Sequence, residues 1–278
     1  MSLSLPDVTL VALDTRAPGL AVEALARSMA QANFARAILF TDEAHPKLSL
    51  PGLDVVHVPV LRSGADYSRF VVQCLAEHIR SSHVLVTQWD GFILDTEAWT
   101  PAFLACDYVG AVWPEQPEGL NVGNGGFSLR SRRFLEASAA LDLPHWHPED
   151  EVLCRVQRPQ LERRFGVRFA SPALARRFAF ENETPRTPTF GFHGPRNLAR
   201  VLDEPTLQRW LTLLPDDFFR SRDARRLARA LLGRGMPSTA RRLLDRRLAA
   251  GRTDPNTRLL SAAATVLQRL ATPLRRPP

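Results

Sequence analysis

The chain has 278 residues, 45% of them hydrophobic and 23% charged. That is an ordinary globular composition, able to build one large α/β domain with an appendage or two small domains. No apolar run reaches bilayer-spanning length and residues 1–7 lack the basic start and apolar core of a signal peptide, so a cytoplasmic location is expected. The three cysteines, Cys74, Cys106 and Cys154, are too few and too scattered for a disulfide framework or a cysteine metal site.

The net charge of +7 is unevenly spread: residues 215–278 carry 15 arginines and 5 aspartates, and the remainder is mildly acidic. Basicity therefore belongs to the tail, and no nucleic-acid partner is expected. Genome composition and a plainly solvated helix face account for such charge most often, and contact with a membrane surface or another protein through residues 215–278 is the alternative.

Short apolar runs alternate with helical spacing through the N-terminal half. Residues 8–13 read as a buried strand ending at Asp14, 21–33 as a helix, and 37–40 as a strand closed by Thr41-Asp42. A third strand is expected at 55–60, an amphipathic helix at 67–80, and a strand at 84–87 that runs into Gln88-Trp89-Asp90. This pattern predicts a parallel sheet covered on both faces, with ligands at the carboxyl ends of its strands, where Asp14, Asp42 and Asp90 fall.

Beyond Asp107 the spacing predicts strands at 108–113 and 167–170. Between them, Gly123-Asn124-Gly125-Gly126 gives up side chains, as backbone does where it turns sharply or lies against a ligand. Residues 130–140 read as a helix opened by that turn, whose free N–H groups would suit a phosphate or a sugar hydroxyl. From Glu204 the period is helical, with three arginine-studded helices at 223–232, 238–248 and 256–270 and a frayed end at 272–278. The expected organisation is one domain over 1–203 and a helical region over 204–278.

A strand-end carboxylate such as Asp90 can hold a divalent cation that takes its remaining ligands from phosphate and water; taken alone it caps a turn as readily. His193, in the aromatic turn Phe190-Gly191-Phe192-His193, is a metal ligand or a turn residue. Glu149 and Asp150 open a helix, where the dipole favours acids, or take a proton from an attacking hydroxyl. His145 and His147 form an H-x-H pair with nothing nearby to complete a ligand set.

In order and spacing, Gln88-Trp89-Asp90, Gly110-Ala111-Val112-Trp113, residues 122–130, Glu149-Asp150 and residues 190–193 resemble a bacterial family related to GT-A glycosyltransferases. The same order is similar to the metal-dependent β-1,4-galactosyltransferases. The resemblance implies a GT-A-like three-layer α/β/α sandwich over residues 7–200, with a nucleotide-sugar donor and a glycan or lipid-linked acceptor. It implies Asp90 and His193 as ligands of Mn²⁺ or Mg²⁺ and Asp150 as the catalytic base, with Glu149 as second choice. Donor contacts are expected from Asp14, Asp42, Tyr67, Gln88, Asn124, Gly125 and Gly126, and an acceptor platform from Trp113. Gln88 stands where the D-x-D of the β-1,4-galactosyltransferases has aspartate, which removes one ligand. It also leaves a sugar-binding scaffold, catalytically degenerate and with a partner-binding tail, as the alternative function. A phosphotransferase is disfavoured because no lysine-bearing phosphate loop is present.

Overall fold

The computed structural model describes residues 2–42 and 48–271; the expected frayed end at 272–278 lies outside the described residues. It divides into two compact units, Met1–His193 and Gly194–Pro278, so the helical part starts ahead of the boundary suggested by the sequence period.

The first unit is built on β1 (Leu3–Leu13), α1 (Pro18–Gln31), β2 (Ala32–Thr41), β3 (Leu53–His57), α2 (Gly64–Arg69), α3 (Leu75–His78) and β4 (His83–Thr87). A π-helical turn, Phe70–Cys74, joins α2 to α3. There follow β5 (Phe92–Ile93), β6 (Tyr108–Val109), β7 (Phe127–Ser131), α4 (Arg132–Ala139), α5 (Glu149–Glu151), α6 (Arg158–Phe165), α7 (Pro172–Phe178), β8 (Ala179–Phe180) and β9 (Gly191–Phe192).

The main sheet has the order β3-β2-β1-β4-β7-β6. Its first four strands are parallel, with α1 between β1 and β2 and α2 and α3 between β3 and β4, and β7 then pairs antiparallel with both β4 and β6. The sheet is therefore mixed rather than parallel. The side chains of its central strands alternate between two buried faces. Leu10 and Ala12 of β1, Leu85 of β4 and Leu129 of β7 pack with Ala21 and Leu25 of α1 in one core. Val11, Leu13, Val84 and Val86 pack with Val71, Leu75, Phe134 and Leu161 in the other. Period-two strands buried on both sides make three layers, an α/β/α sandwich of the kind that the motif order implies.

The helix expected at 130–140 begins later, at Arg132, because Phe127–Ser131 is a fully buried strand. The glycine turn thus opens a strand, and the argument from free N–H groups at a helix start does not apply. Residues 167–170 contribute only an isolated bridge, Tyr108 to Phe169. A small second sheet, β5-β9-β8, is held by Phe92 against Phe192 edge-to-face at 4.8 Å.

The second unit comprises α8 (Pro195–Val201), α9 (Glu204–Leu213), α10 (Asp216–Arg220), α11 (Arg222–Gly233), α12 (Pro237–Ala249) and α13 (Pro255–Ala271). Two of its arginines are structural. Buried Arg247 donates to the carbonyls of Phe219 (2.7 Å) and Ser221 (2.6 Å) and to Thr257 Oγ1 (2.9 Å), tying α10, α12 and α13 together. Arg246 lies over the Phe219 ring at 3.8 Å and pairs with Asp216 at 2.9 Å. Part of the arginine excess in the tail therefore satisfies carbonyls at helix ends, which would otherwise be orphaned.

Candidate functional site

Because β7 runs antiparallel to β4 with Thr87 opposite Phe127, the residues entering β7 lie beside the residues leaving β4. The Gln88 N–H donates to the Gly126 carbonyl at 2.9 Å, and Thr87 Oγ1 donates to the Gly91 carbonyl at 2.6 Å. These bonds fix the turn that presents Gln88 and Asp90. Asn124 holds the neighbouring turn with a left-handed φ of 74°, a conformation few side chains accept. Its Oδ1 accepts from the Phe127 N–H at 3.2 Å, and the Tyr108 hydroxyl donates to its carbonyl at 3.0 Å.

The glycines of this turn are small for the sake of named neighbours. A Cβ on Gly123 would strike the Trp113 ring, one on Gly125 the Glu149 carboxylate, and one on Gly126 the His193 imidazole. Gly125 and Gly126 thereby bring two groups of side chains to one short stretch of backbone.

On the Gly126 side, β8 and β9 are parallel with Phe180 opposite Phe192, so the residues that follow them, Glu181 and His193, stand side by side. His193 Nδ1 lies 3.2 Å from Glu181 Oε1 and 3.0 Å from Asn124 Nδ2. Its Nε2 lies 3.2 Å from Gln88 Oε1 and 3.4 Å from Asp90 Oδ1. Burial works against a charge on this imidazole, yet Asp90 and Glu181 hold its pKa well above the usual histidine value. Asp90 is buried, and its Oδ1 has no hydrogen bond among the described residues.

On the Gly125 side, Asp150 Oδ2 accepts from the Gly125 N–H at 2.9 Å. Glu149 is buried, paired with the Arg130 guanidinium at 3.1 Å, with the Ser68 hydroxyl donating to it at 3.4 Å. Arg130 also donates to the Gly125 carbonyl (3.2 Å) and to Ser128 Oγ (3.0 Å). Burial, and then the charge of Glu149, push the Asp150 carboxyl up to about 6. Asp150 is only partly buried, whereas Glu149 is 4% exposed. A π-helical turn, Val152–Val156, follows directly.

The other predicted residues lie around this centre. Asp14 Oδ1 accepts from the N–H groups of Arg16 and Ala17, both at 2.7 Å, which caps the turn into α1. Its carboxyl is raised by burial, and the charge of Asp90 adds to that rise. Asp42 is buried just beyond β2. The Tyr67 hydroxyl is buried, and burial followed by the Glu149 charge raises its pKa. Trp113 is 8% exposed with its ring over Gly123, so it supports the turn from beneath instead of forming the open platform expected of it. His147 contacts Ser68 Oγ at 3.1 Å through Nδ1, and its ring fills the space over Gly64, which docks the segment before Glu149 on α2. A cavity of about 390 Å³, lined in part by Val112, Phe180, Arg176 and Glu183, opens beside β8, and none of the residues predicted from sequence lines it.

Arg130, Glu181, Ser68 and Tyr108 were not legible as site residues. Arg130 read as the start of a surface helix, and its partner Glu149 is remote in sequence. Glu181 follows a two-residue strand too short to leave a periodic signal.

A sequence model of the family described as "Protein of unknown function (DUF5672)" matches residues 53–193, about half of the chain, and ends at His193. No curated protein matches. Among solved structures, the chain is similar to the mannosyltransferase PcManGT from Pyrobaculum calidifontis in complex with GDP-Man and Mn²⁺, at 13% identity and a TM-score of 0.42, over 98% of this chain and 79% of that one. It is similar to the apo-form glycosyltransferase GlyE of Streptococcus pneumoniae TIGR4 at 10% identity and a TM-score of 0.42, over 67% of this chain and 54% of that one. The bifunctional IspDF from Campylobacter jejuni gives 10% identity and a TM-score of 0.42, over 71% of this chain and 54% of that one. The chain thus spans about half the length of the last two. These are distant likenesses of fold.

Proposed function

The chain belongs to the DUF5672 family, and we propose that it transfers a sugar from a nucleoside-diphosphate donor to an acceptor hydroxyl with inversion. One observation carries the reading: adjacent glycines bring a buried Asp90–His193–Gln88 group and a partly exposed Asp150 carboxylate to the two sides of one turn. The motif order resembling GT-A glycosyltransferases supports it.

Among the described residues no three of His, Cys, Asp and Glu cluster as cation ligands. The residues present nevertheless suit a divalent ion, with the amide oxygen of Gln88 in place of a second acid. Asp90 Oδ1 has no hydrogen bond among the described residues, and it and Gln88 Oε1 lie 3.4 and 3.2 Å from His193 Nε2. Neighbouring ligands on an octahedral ion with bonds of about 2.1 Å stand about 3 Å apart. Asp90, His193 and Gln88 would hold Mn²⁺ or Mg²⁺, which supplies positive charge to the diphosphate leaving group. His193, favoured in its charged form by Asp90 and Glu181, would release its Nε2 proton on taking up the ion and keep its Nδ1–H on Glu181.

Asp150 accepts the proton of the acceptor hydroxyl as that oxygen attacks the anomeric carbon. With a pKa near 6 it is ionised at neutral pH and still basic enough for the task. The Gly125 N–H holds Oδ2 and the Glu151 N–H holds Oδ1, both at 2.9 Å, so two backbone donors orient the carboxylate while each oxygen keeps a lone pair for the acceptor proton. Glu149, locked to Arg130, keeps the turn in place and takes no proton from substrate. Turnover of a panel of nucleotide sugars by the wild type and by Asp150→Asn tests the reading. Donor binding without any transfer or hydrolysis would favour the scaffold alternative.

A further inference from the structure

Among the described residues seven large hydrophobic side chains are exposed, and four of them, Leu259, Val266, Leu267 and Leu270, stand on the single helix α13. The spacing 259, 266, 270 repeats at helical intervals, so these three form one ridge along the outward side. The opposite side, with Thr257 and Ala264, is buried where α13 packs on α12. A helix apolar both toward its bundle and away from it leaves a face that water solvates poorly.

Charge narrows what covers that face. Exposed Arg258 and Arg269 border the ridge near its two ends, and α13 contains no aspartate or glutamate. In an antiparallel pairing of two copies, Arg258 of each would meet Arg269 of the other with no acid on either helix to separate them, a destabilising like-charge contact. The wider region repeats the bias, with 15 arginines against 5 aspartates over residues 215–278. Protruding leucines want hydrocarbon and the arginines beside them want anions, and an anionic bilayer surface offers both at the right depth. No described helix is long and apolar enough to cross a membrane.

We propose that the outward face of α13 docks on anionic lipid, with Leu259, Val266 and Leu270 in the headgroup–acyl boundary and Arg258 and Arg269 on the headgroup phosphates. The proposal is independent of the transfer chemistry.

The test is sedimentation of the full chain with vesicles of phosphatidylglycerol and phosphatidylcholine, and with phosphatidylcholine vesicles alone. Binding is expected only to the first, and 0.5 M salt should weaken it. Leu259→Ser with Leu270→Ser, both exposed and so compatible with folding, should lower vesicle affinity at least about tenfold. Arg258→Gln with Arg269→Gln should lower it about thirtyfold. Equal binding to both vesicle types, no binding to either, or unchanged affinity in the variants would overturn the proposal. So would a dimer seen by light scattering that the leucine substitutions dissociate without any vesicle binding, since the face would then belong to a second copy.

Discussion

Gly126 and His193 occupy one space between them: any side chain at 126 would stand where the imidazole stands, although the two residues are far apart in sequence. The glycine is therefore part of how the histidine is aimed at Asp90. Gly126→Ala should push the ring aside at a cost of about 1–3 kcal/mol in stability, typical of overpacking. It should also weaken Mn²⁺ binding as strongly as loss of His193 does. Titration calorimetry with the metal alone reads this, and unchanged affinity would separate the glycine from the ion.

Asp90→Asn tests the same group from the other side. The substitution keeps shape and removes charge, so Mn²⁺-dependent strengthening of nucleoside diphosphate binding should vanish while metal-free binding persists. Calorimetry with and without EDTA gives the answer, and equal affinities in the wild type would remove the cation from the mechanism.

Asp150 is held against its own preference. Its folded pKa of about 6 lies above the unfolded value near 4, so the folded state binds the proton more tightly. Its contribution to stability therefore falls as pH rises from 4 to 6, and the full cost is present above 6. Relative to the wild type, Asp150→Asn should gain about 1–2 kcal/mol between pH 4 and pH 8, on top of a pH-independent cost for the one backbone N–H that its amide cannot accept. Transfer should fall by about two to four orders of magnitude. Thermal melts at the two pH values, beside the rate, distinguish a residue kept for chemistry from a helix cap.

Glu149→Gln should behave in the opposite way. It leaves the buried Arg130 charge without its partner, at a cost of about 3–5 kcal/mol. Because the Glu149 charge helps raise Asp150, the acidic limb of the rate profile should move below pH 6. A limb that stays in place would show that burial alone sets it.

Much of this was written in local pattern. The amphipathic helices of the second unit and the parallel strands β1, β2 and β4 follow from hydrophobic period, which is a property of neighbours along the chain. Asp90, Asp150 and His193 came from motif order. What stayed hidden depended on pairing across the fold. Phe127–Ser131 carries an arginine that sequence reads as solvent-facing, and only Glu149 meeting it from beyond α4 lets a strand bury it. The antiparallel direction of β7 and the approach of Glu181 to His193 are likewise decided by tertiary contacts, with no trace in local spacing.

The pairing of β7 with β4 also ties folding accuracy to chemistry. A slip of one residue would turn Arg130 and Ser128 toward the face now holding Phe127 and Leu129, and would carry the glycines away from His193 and Glu149. Such a misaligned chain loses its core, its buried ion pair and its reacting groups in a single error. Partly working misfolds are thereby closed off, and activity itself becomes a report on register.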